Sequence, residues 1–220
     1  MTRSEVQKIL DAARQLDPSF ALFGAKKHQY RLRPPLAPAL IHEIETRHGL
    51  ELPEDYVYFL TEIGDGGAGP DYGIDSFAWQ FRETGQKWLP RFWAALGQPF
   101  EPRPMEPEEV EEYSIVTREG YEKEPSRYFI QEVPEEEDWS RGVLTLGTHG
   151  CQWDFTLVLT GPHRGRVFDT DNEGGYGLAA ESFTAYYEAW LSRISDPQYV
   201  KRQVEFWQNL GRERKKGDVQ

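Results

Sequence analysis

The stretch Glu62–Gly73, EIGDGGAGPDYG, decides the fold, because it places Gly64, Gly66 and Gly69 at the G-x-G-x-x-G spacing of a dinucleotide-binding turn. In such a turn a strand precedes the first glycine and a helix opens after the last. The pyrophosphate then rests on the free N–H groups of that helix. Here the order is reversed. LPEDYVYFLTEI comes first, with Tyr56, Phe59, Leu60 and Ile63 as an apolar stripe at helical spacing, and Pro70-Asp71-Tyr72-Gly73 comes after. No helix N-terminus faces the glycines, and Asp65 and Asp71 would repel phosphate. No G-K-[ST] occurs either, so a P-loop is excluded. The glycines are read as the end of a helix followed by a tight turn into a sheet. No cofactor is expected.

Working outward, Pro53 suits the first helical position, and Glu54 and Asp55 favour the positive end of the helix dipole. Upstream, Val6, Ile9, Leu10, Ala13 and Leu16 predict a helix over 4–16, capped by Ser4 and stopped at Asp17-Pro18. A second helix is predicted over 38–48, with Leu40, Ile41 and Ile44 inward and Gly49 ending it. Downstream, WLPRFWAAL reads as a short helix, and YSIVT and RYFIQEV read as short strands.

The clearest β signal is CQWDFTLVLTGPHRGRVFDT, residues 151–170. Trp153, Phe155, Leu157 and Leu159 alternate with Gln152, Asp154, Thr156, Val158 and Thr160, the period of a strand with one buried face. Gly161–Gly165 is a turn, Arg166–Asp169 the returning strand, and VLTLG at 143–147 a neighbour. The four apolar residues are read as core rather than a ligand groove. After DNEGGYGLAAE, Ser182 is placed to cap a helix with Phe183, Tyr186, Tyr187, Trp190, Leu191 and Ile194 inward. A last helix carries Val200, Val204, Trp207 and Leu210.

The 220 residues suit a single domain over 1–210, with a charged flexible tail over 211–220. Seven Trp and 14% aromatics indicate a bulky core. One cysteine, Cys151, allows no intrachain disulfide, and Met-Thr-Arg-Ser-Glu lacks the apolar region of a signal peptide. The expectation is a cytoplasmic protein, with no apolar run long enough for a membrane span. The net charge of −12 disfavours nucleic acid as a ligand. That charge is unevenly placed: residues 101–140 hold fourteen carboxylates against four bases, a local net of −10. This acidic insert, at about 100–140, interleaves Glu108, Glu109, Glu111 and Glu112 with Tyr113, and Glu135, Glu136, Glu137 and Asp138 with Trp139. Aromatic anchors among carboxylates suit a protein interface; they equally suit a solvated loop tied down by one aromatic.

LPEDYVYFLTEIGDGGAGPDYGI resembles the N-terminal motif of the SUKH superfamily, also called the Smi/Knr family, through Leu52, Pro53, Tyr56, Phe59, Leu60, Gly64, Gly66, Gly67, Tyr72 and Gly73. GTHGCQWDFTLVLTGPHRGRVFD resembles its second signature through Cys151, Trp153, Gly161, Gly165 and Val167. SFTAYYEAWL, with Phe183 and Trp190, looks like its closing helix. The resemblance implies an α+β domain, a mainly antiparallel sheet flanked by N-terminal and C-terminal helices, without catalytic machinery. It implies that bacterial members are immunity proteins that neutralise toxins by binding. Fungal members are implied to regulate cell-wall synthesis through protein partners.

Other chemistries find little support. Hydrolysis by two carboxylates needs a pair about 5–10 Å apart in a cleft, and nothing singles out a pair. His149 and Cys151 could begin a zinc site, but a third and fourth ligand lack recognisable spacing; Cys151 is read as buried at a strand start. As a nucleophile pair they have no obvious group to orient the base. His28, His42 and His48 read as surface or helix-end residues. The tip Pro162-His163-Arg164 is expected to be exposed. The reading is therefore a non-enzymatic binding protein with no catalytic, metal or cofactor residues. Its partner is a protein, a basic toxin domain, covered by the face around residues 106–139. The alternative is a regulatory interaction module without a toxin. The expected state is a monomer or weak dimer.

Overall fold

A computed structural model of the chain describes residues 1–82, 89–112, 128–133, 140–171 and 174–217; for Leu89, Glu111, Glu112 and residues 211–217 it describes backbone only. The strand expected at YSIVT lies outside these residues.

Thr2, not Ser4, opens the first helix, α1 (Arg3–Leu16). The Thr2 hydroxyl accepts from the Glu5 amide at 3.3 Å, and the Glu5 carboxylate accepts from the Thr2 amide at 2.7 Å. This reciprocal box satisfies two otherwise orphan donors, so Ser4 falls inside the first turn. Val6, Leu10 and Ala13 are buried. At the other end Asp17, fully buried, accepts from the amides of Ala21 (2.7 Å) and Leu22 (3.0 Å) and from the Tyr30 hydroxyl (3.0 Å). The carboxylate thereby shapes the loop into α2 (Ala25–His28). Its His28 is buried rather than on the surface; burial, reinforced by Lys27, pulls its imidazole down to about 4.

α3 (Pro38–His48) starts on Pro38 and ends at Gly49, whose φ of 64° is the left-handed cap that favours glycine. Ile41 and Ile44 are buried, but Leu40 is 37% exposed instead of inward. α4 (Glu54–Tyr58) does not run on as a regular α-helix. It widens into a π-helical turn over Phe59–Ile63, where the Gly64 amide donates to the Phe59 carbonyl at 2.8 Å. The wide turn seats Phe59 edge-on against Phe183 and Tyr187, with ring centroids 4.8 and 4.9 Å apart. α5 (Phe77–Gln80), α6 (Leu89–Leu96) and α7 (Pro107–Glu112) are short.

The described strands are β1 (Arg103–Pro104), β2 (Tyr128–Ile130), β3 (Val143–Gly150), β4 (Trp153–Val158), β5 (Val167–Thr170) and β6 (Gly175–Ala180). They form one sheet in the order β1-β2-β6-β5-β4-β3, every neighbouring pair antiparallel. α8 (Phe183–Ser195) and α9 (Pro197–Gly217) follow. The class is α+β, as the sequence predicts. Ser182 caps α8 by accepting from the Ala185 amide, and all six residues expected inward on α8 are buried.

The sheet is buried on both faces, not one. Leu144, Leu146, Phe155, Leu157 and Val167 join the helices in the main core, while Val143, Val158, Phe168 and Tyr176 pack with Phe100 in a second cluster. Thr156 and Val158 are therefore buried alongside Phe155 and Leu157. Trp153, at the strand end, is half-buried. Cys151 is also corrected. It is exposed, sitting with Gln152 in the two-residue turn between β3 and β4, at φ values of 52° and 72°. Two positive φ angles give the twist that matches a tight hairpin.

Candidate functional site

The glycine turn is built where three backbone segments converge. Gly67 bridges Leu32 on one side and Ile74 on the other. A Cβ on Gly67 would lie 2.3 Å from the Arg31 carbonyl oxygen, and one on Gly66 would lie 2.5 Å from those of Ile74 and Asp75. Gly64 is extended, at φ 165°; its absent side chain matters because a Cβ would meet the Arg33 carbonyl at 2.6 Å. The amides are spent internally: Asp65 on Pro34, Gly67 on Ile74, Ala68 on Arg31, Ile74 on Gly67 and Asp75 on Leu146. The Asp75 bond ties the turn to the outer edge of β3. Asp65 is buried and accepts from the Ser76 hydroxyl and, at 3.3 Å, from the Ala78 amide. With the space around them taken and the amides of Gly64 and Gly67 engaged, these glycines serve close packing.

Past the turn, Asp71 reaches His149. The imidazole Nδ1 meets Asp71 Oδ2, and Nε2 meets Asp169 Oδ1 at 2.8 Å. Burial alone would pull this imidazole down, but the hydrogen bonds to Asp169 and Asp71 outweigh it and hold it up at about 9. The ring leans on Phe155, 5.0 Å between centroids. Asp154, on the neighbouring strand, is raised by burial, against a lowering hydrogen bond from Thr148. Spacing could not show this grouping, since Asp71 lies 78 residues from His149 and Asp169 lies 20 away. Cys151, two residues on, is exposed.

The acidic segment is organised differently. Arg103 forms a fork to Glu109, with both N–O distances 2.7 Å, and reaches Glu132 at 3.1 Å. The Glu109 carboxyl also accepts from the Glu106 amide at 2.8 Å, and the Arg103 bond leads in holding it down at about 2. Val110, on the same helix, is buried with Met105 and Tyr128. Glu109 thus faces a partner within the chain, while Glu108 is exposed. Glu111 and Glu112 continue α7 in backbone. Tyr113, Glu135, Glu136, Glu137, Asp138 and Trp139 lie outside the described residues.

The model of the SMI1 / KNR4 family (SUKH-1) matches residues 35–189. The chain belongs to this family. No curated protein and no solved structure matches it.

The SUKH-1 span starts just before α3 and ends within α8, so it contains the glycine turn, the His149 cluster and the acidic segment. In this span the hairpin tip is exposed at Pro162 and Arg164, as expected, and is also anchored to the rest of the chain. Arg164 donates to the carbonyls of Glu51 (3.2 Å) and Leu52 (3.0 Å), and His163 packs edge-on against Phe129 and Phe168. A Cβ on Gly161 would strike the Phe100 carbonyl at 2.6 Å. Leu52, Pro53, Tyr56, Phe59, Leu60, Val167, Phe183 and Trp190 are buried; Gly73 is buried, Tyr72 half-buried and Gly165 half-exposed beside Pro53. The SUKH-1 family is generally non-catalytic. Among the described residues, no group of three or more His, Cys, Asp and Glu side chains is arranged to hold a metal. No described helix is long and apolar enough to cross a membrane.

Proposed function

We propose that this SUKH-1 protein is an immunity protein that neutralises a cognate bacterial toxin by covering a basic active site. It works in the cytoplasm as a monomer or weak dimer, without catalysis. The observation that carries the reading is the concentration of charge: a local −10 over residues 101–140 in a chain whose total is −12. A toxin that cleaves nucleic acid needs a basic cleft, and carboxylates spaced along a short helix can occupy it in place of phosphates. Attraction at a distance raises the encounter rate by about 10- to 1000-fold at low salt.

The organisation of α7 sharpens the test. Glu109 is committed to Arg103, so reversing it would mix the loss of that pair with the loss of steering; Glu108, Glu111 and Glu112 are the residues to reverse. The product of the neighbouring reading frame is the partner to try, by co-expression, growth rescue and stopped-flow association. The triple Lys variant should associate about tenfold more slowly at low salt, with a flattened salt dependence. An unchanged rate at low salt removes this segment from the interface. Failure to bind the neighbouring product at all, with capture of unrelated housekeeping partners, favours the regulatory module.

A further inference from the structure

His149 is the one described side chain whose two hydrogen-bonding atoms are both occupied by carboxylates from separate parts of the chain. A neutral imidazole carries a single N–H and can donate to only one of them. Satisfying Asp71 and Asp169 together requires both ring nitrogens to carry protons. The three side chains are 20–27% exposed, so water reaches the cluster only partly. The two carboxylates differ in how firmly they are held. Asp169 sits in the β5 ladder, opposite Phe155 on one side and Gly177 on the other. Asp71 sits in the turn at φ 45°, in the left-handed region that a non-glycine residue rarely occupies. Irregular register between Thr145 and Gly147, and again between Thr148 and Gly150, re-aims the end of β3 where His149 stands.

We propose that His149 is a doubly protonated pin that locks the Asp71 carboxylate, at the tip of the glycine turn, onto the sheet, and that losing its proton in alkaline solution loosens the Pro70–Gly73 turn while the rest of the fold stays closed and Tyr72 stays packed on Phe23. Once neutral, the ring turns a lone pair toward one carboxylate. Two further carboxylates act on this cluster. Asp154 on β4 acts electrostatically on His149; Asp75, after the turn, acts on Asp154 and is paired with Lys27 of α2 at 3.3 Å. The ring leans on Phe155, which in turn packs on Tyr186 of α8. Asp71, with the strained backbone, is the carboxylate that leaves. Gly66, Gly67 and Ile74 stay, held by their own backbone bonds.

The sign follows from the raised imidazole. The pin's contribution is complete below the unfolded value of 6.5 and is lost as pH rises through about 9. The test is ¹⁵N NMR of the histidine rings in the full chain, with amide exchange at Gly73, whose N–H donates to the Pro70 carbonyl at 2.7 Å, compared with exchange at Gly67. Both His149 nitrogens should keep N–H-type shifts up to about pH 9, and Gly73 protection should then fall while Gly67 protection holds. Asp71→Asn keeps an acceptor but removes a charge, and should lower the His149 midpoint by about one unit or more. His149→Gln should leave Gly73 poorly protected at every pH. The proposal is overturned if His149 titrates at or below 6.5, if its shifts place the second proton on a carboxylate, or if Gly73 and Gly67 lose protection together. Should the glutamine variant fail to fold, the wild-type titration and Asp71→Asn decide alone.

Discussion

The glycine turn and the acidic segment are both irregular stretches within one SUKH-1 domain, yet they are held by opposite means. In the turn, backbone packs on backbone: Gly66 and Gly67 are buried, and a side chain on either would enter a neighbouring carbonyl. In the acidic segment, a single exposed arginine gathers Glu109 and Glu132, and the described anchor beneath it is a small cluster of Met105, Val110 and Tyr128. The first arrangement tolerates almost no change in sequence. The second depends mainly on keeping charge and one apolar foothold. Changes in the acidic segment can therefore be made without disturbing the close-packed joint.

The sharpest way to break this contrast is Gly67→Ala. At φ 104° with the Arg31 carbonyl 2.3 Å from the new Cβ, the methyl group meets both backbone strain and a rigid neighbour. Each effect costs roughly 1–3 kcal/mol, so a loss of about 3 kcal/mol or more is expected in denaturant unfolding. Gly49→Ala is the control: φ is 64° but open space surrounds it, so only the left-handed penalty of about 1–2 kcal/mol remains. Equal losses for the two variants would mean that the three segments do not meet as described.

Next in size is Tyr56→Phe, in the helix that leads into the turn. The Tyr56 hydroxyl is buried and has no hydrogen-bond partner among the described residues. Burial comes first in pushing its ionisation far up, followed by Asp65 and Asp75 of the turn. Its ring lies edge-on to Phe183 at 4.8 Å, a contact that phenylalanine keeps. Removing the unsatisfied oxygen should raise stability by about 1 kcal/mol, read from the denaturation midpoint at constant slope. A loss of that size would show that the hydroxyl has a partner, and that the turn's carboxylates reach it.

How much of this was legible follows the same division. The helices ahead of the turn and after the sheet are local: periodic apolar residues, a proline at the start of α3, Gly49 after it, Ser182 before α8. Those signals act within one or two turns of chain, so they can be read in line. β6 was hidden because GGYGLAA lacks β-branched residues; its glycines lie between neighbours that supply the packing, Gly177 opposite both Tyr128 and Asp169. The second core was hidden because Thr156 and Val158 alternate like an outer face, and it takes Phe100 and Tyr176, distant in sequence, together with Val143 and Phe168, to turn that face into an interior. The His149 cluster was the least legible. Three elements deliver one residue each, and no spacing encodes a meeting of a turn, a strand end and a central strand.

The smallest expected effect separates charge from order within the acidic segment itself. Arg103→Gln leaves the local charge one unit more negative while releasing Glu109 and Glu132 from their fork. Stability near neutral pH should hardly move, because all three side chains meet solvent and exposed pairs of this kind contribute little. The Glu109 carboxyl should move from about 2 back toward its ordinary 4.5. A depressed carboxyl contributes above its unfolded value and loses that contribution as pH falls through its folded one. Wild type should therefore show a small loss of stability as pH falls from 4.5 through about 2, and the variant, left with only the Glu106 amide on this carboxylate, a smaller one. Against a basic partner the two effects oppose. Added negative charge speeds encounter, whereas a loosened α7 presents Glu108 less consistently. Faster association at low salt places the steering in the summed charge of the segment. Slower association places it in the geometry that Arg103 imposes, and α7 then belongs with the glycine turn as a part whose order, not its composition, is what binding uses.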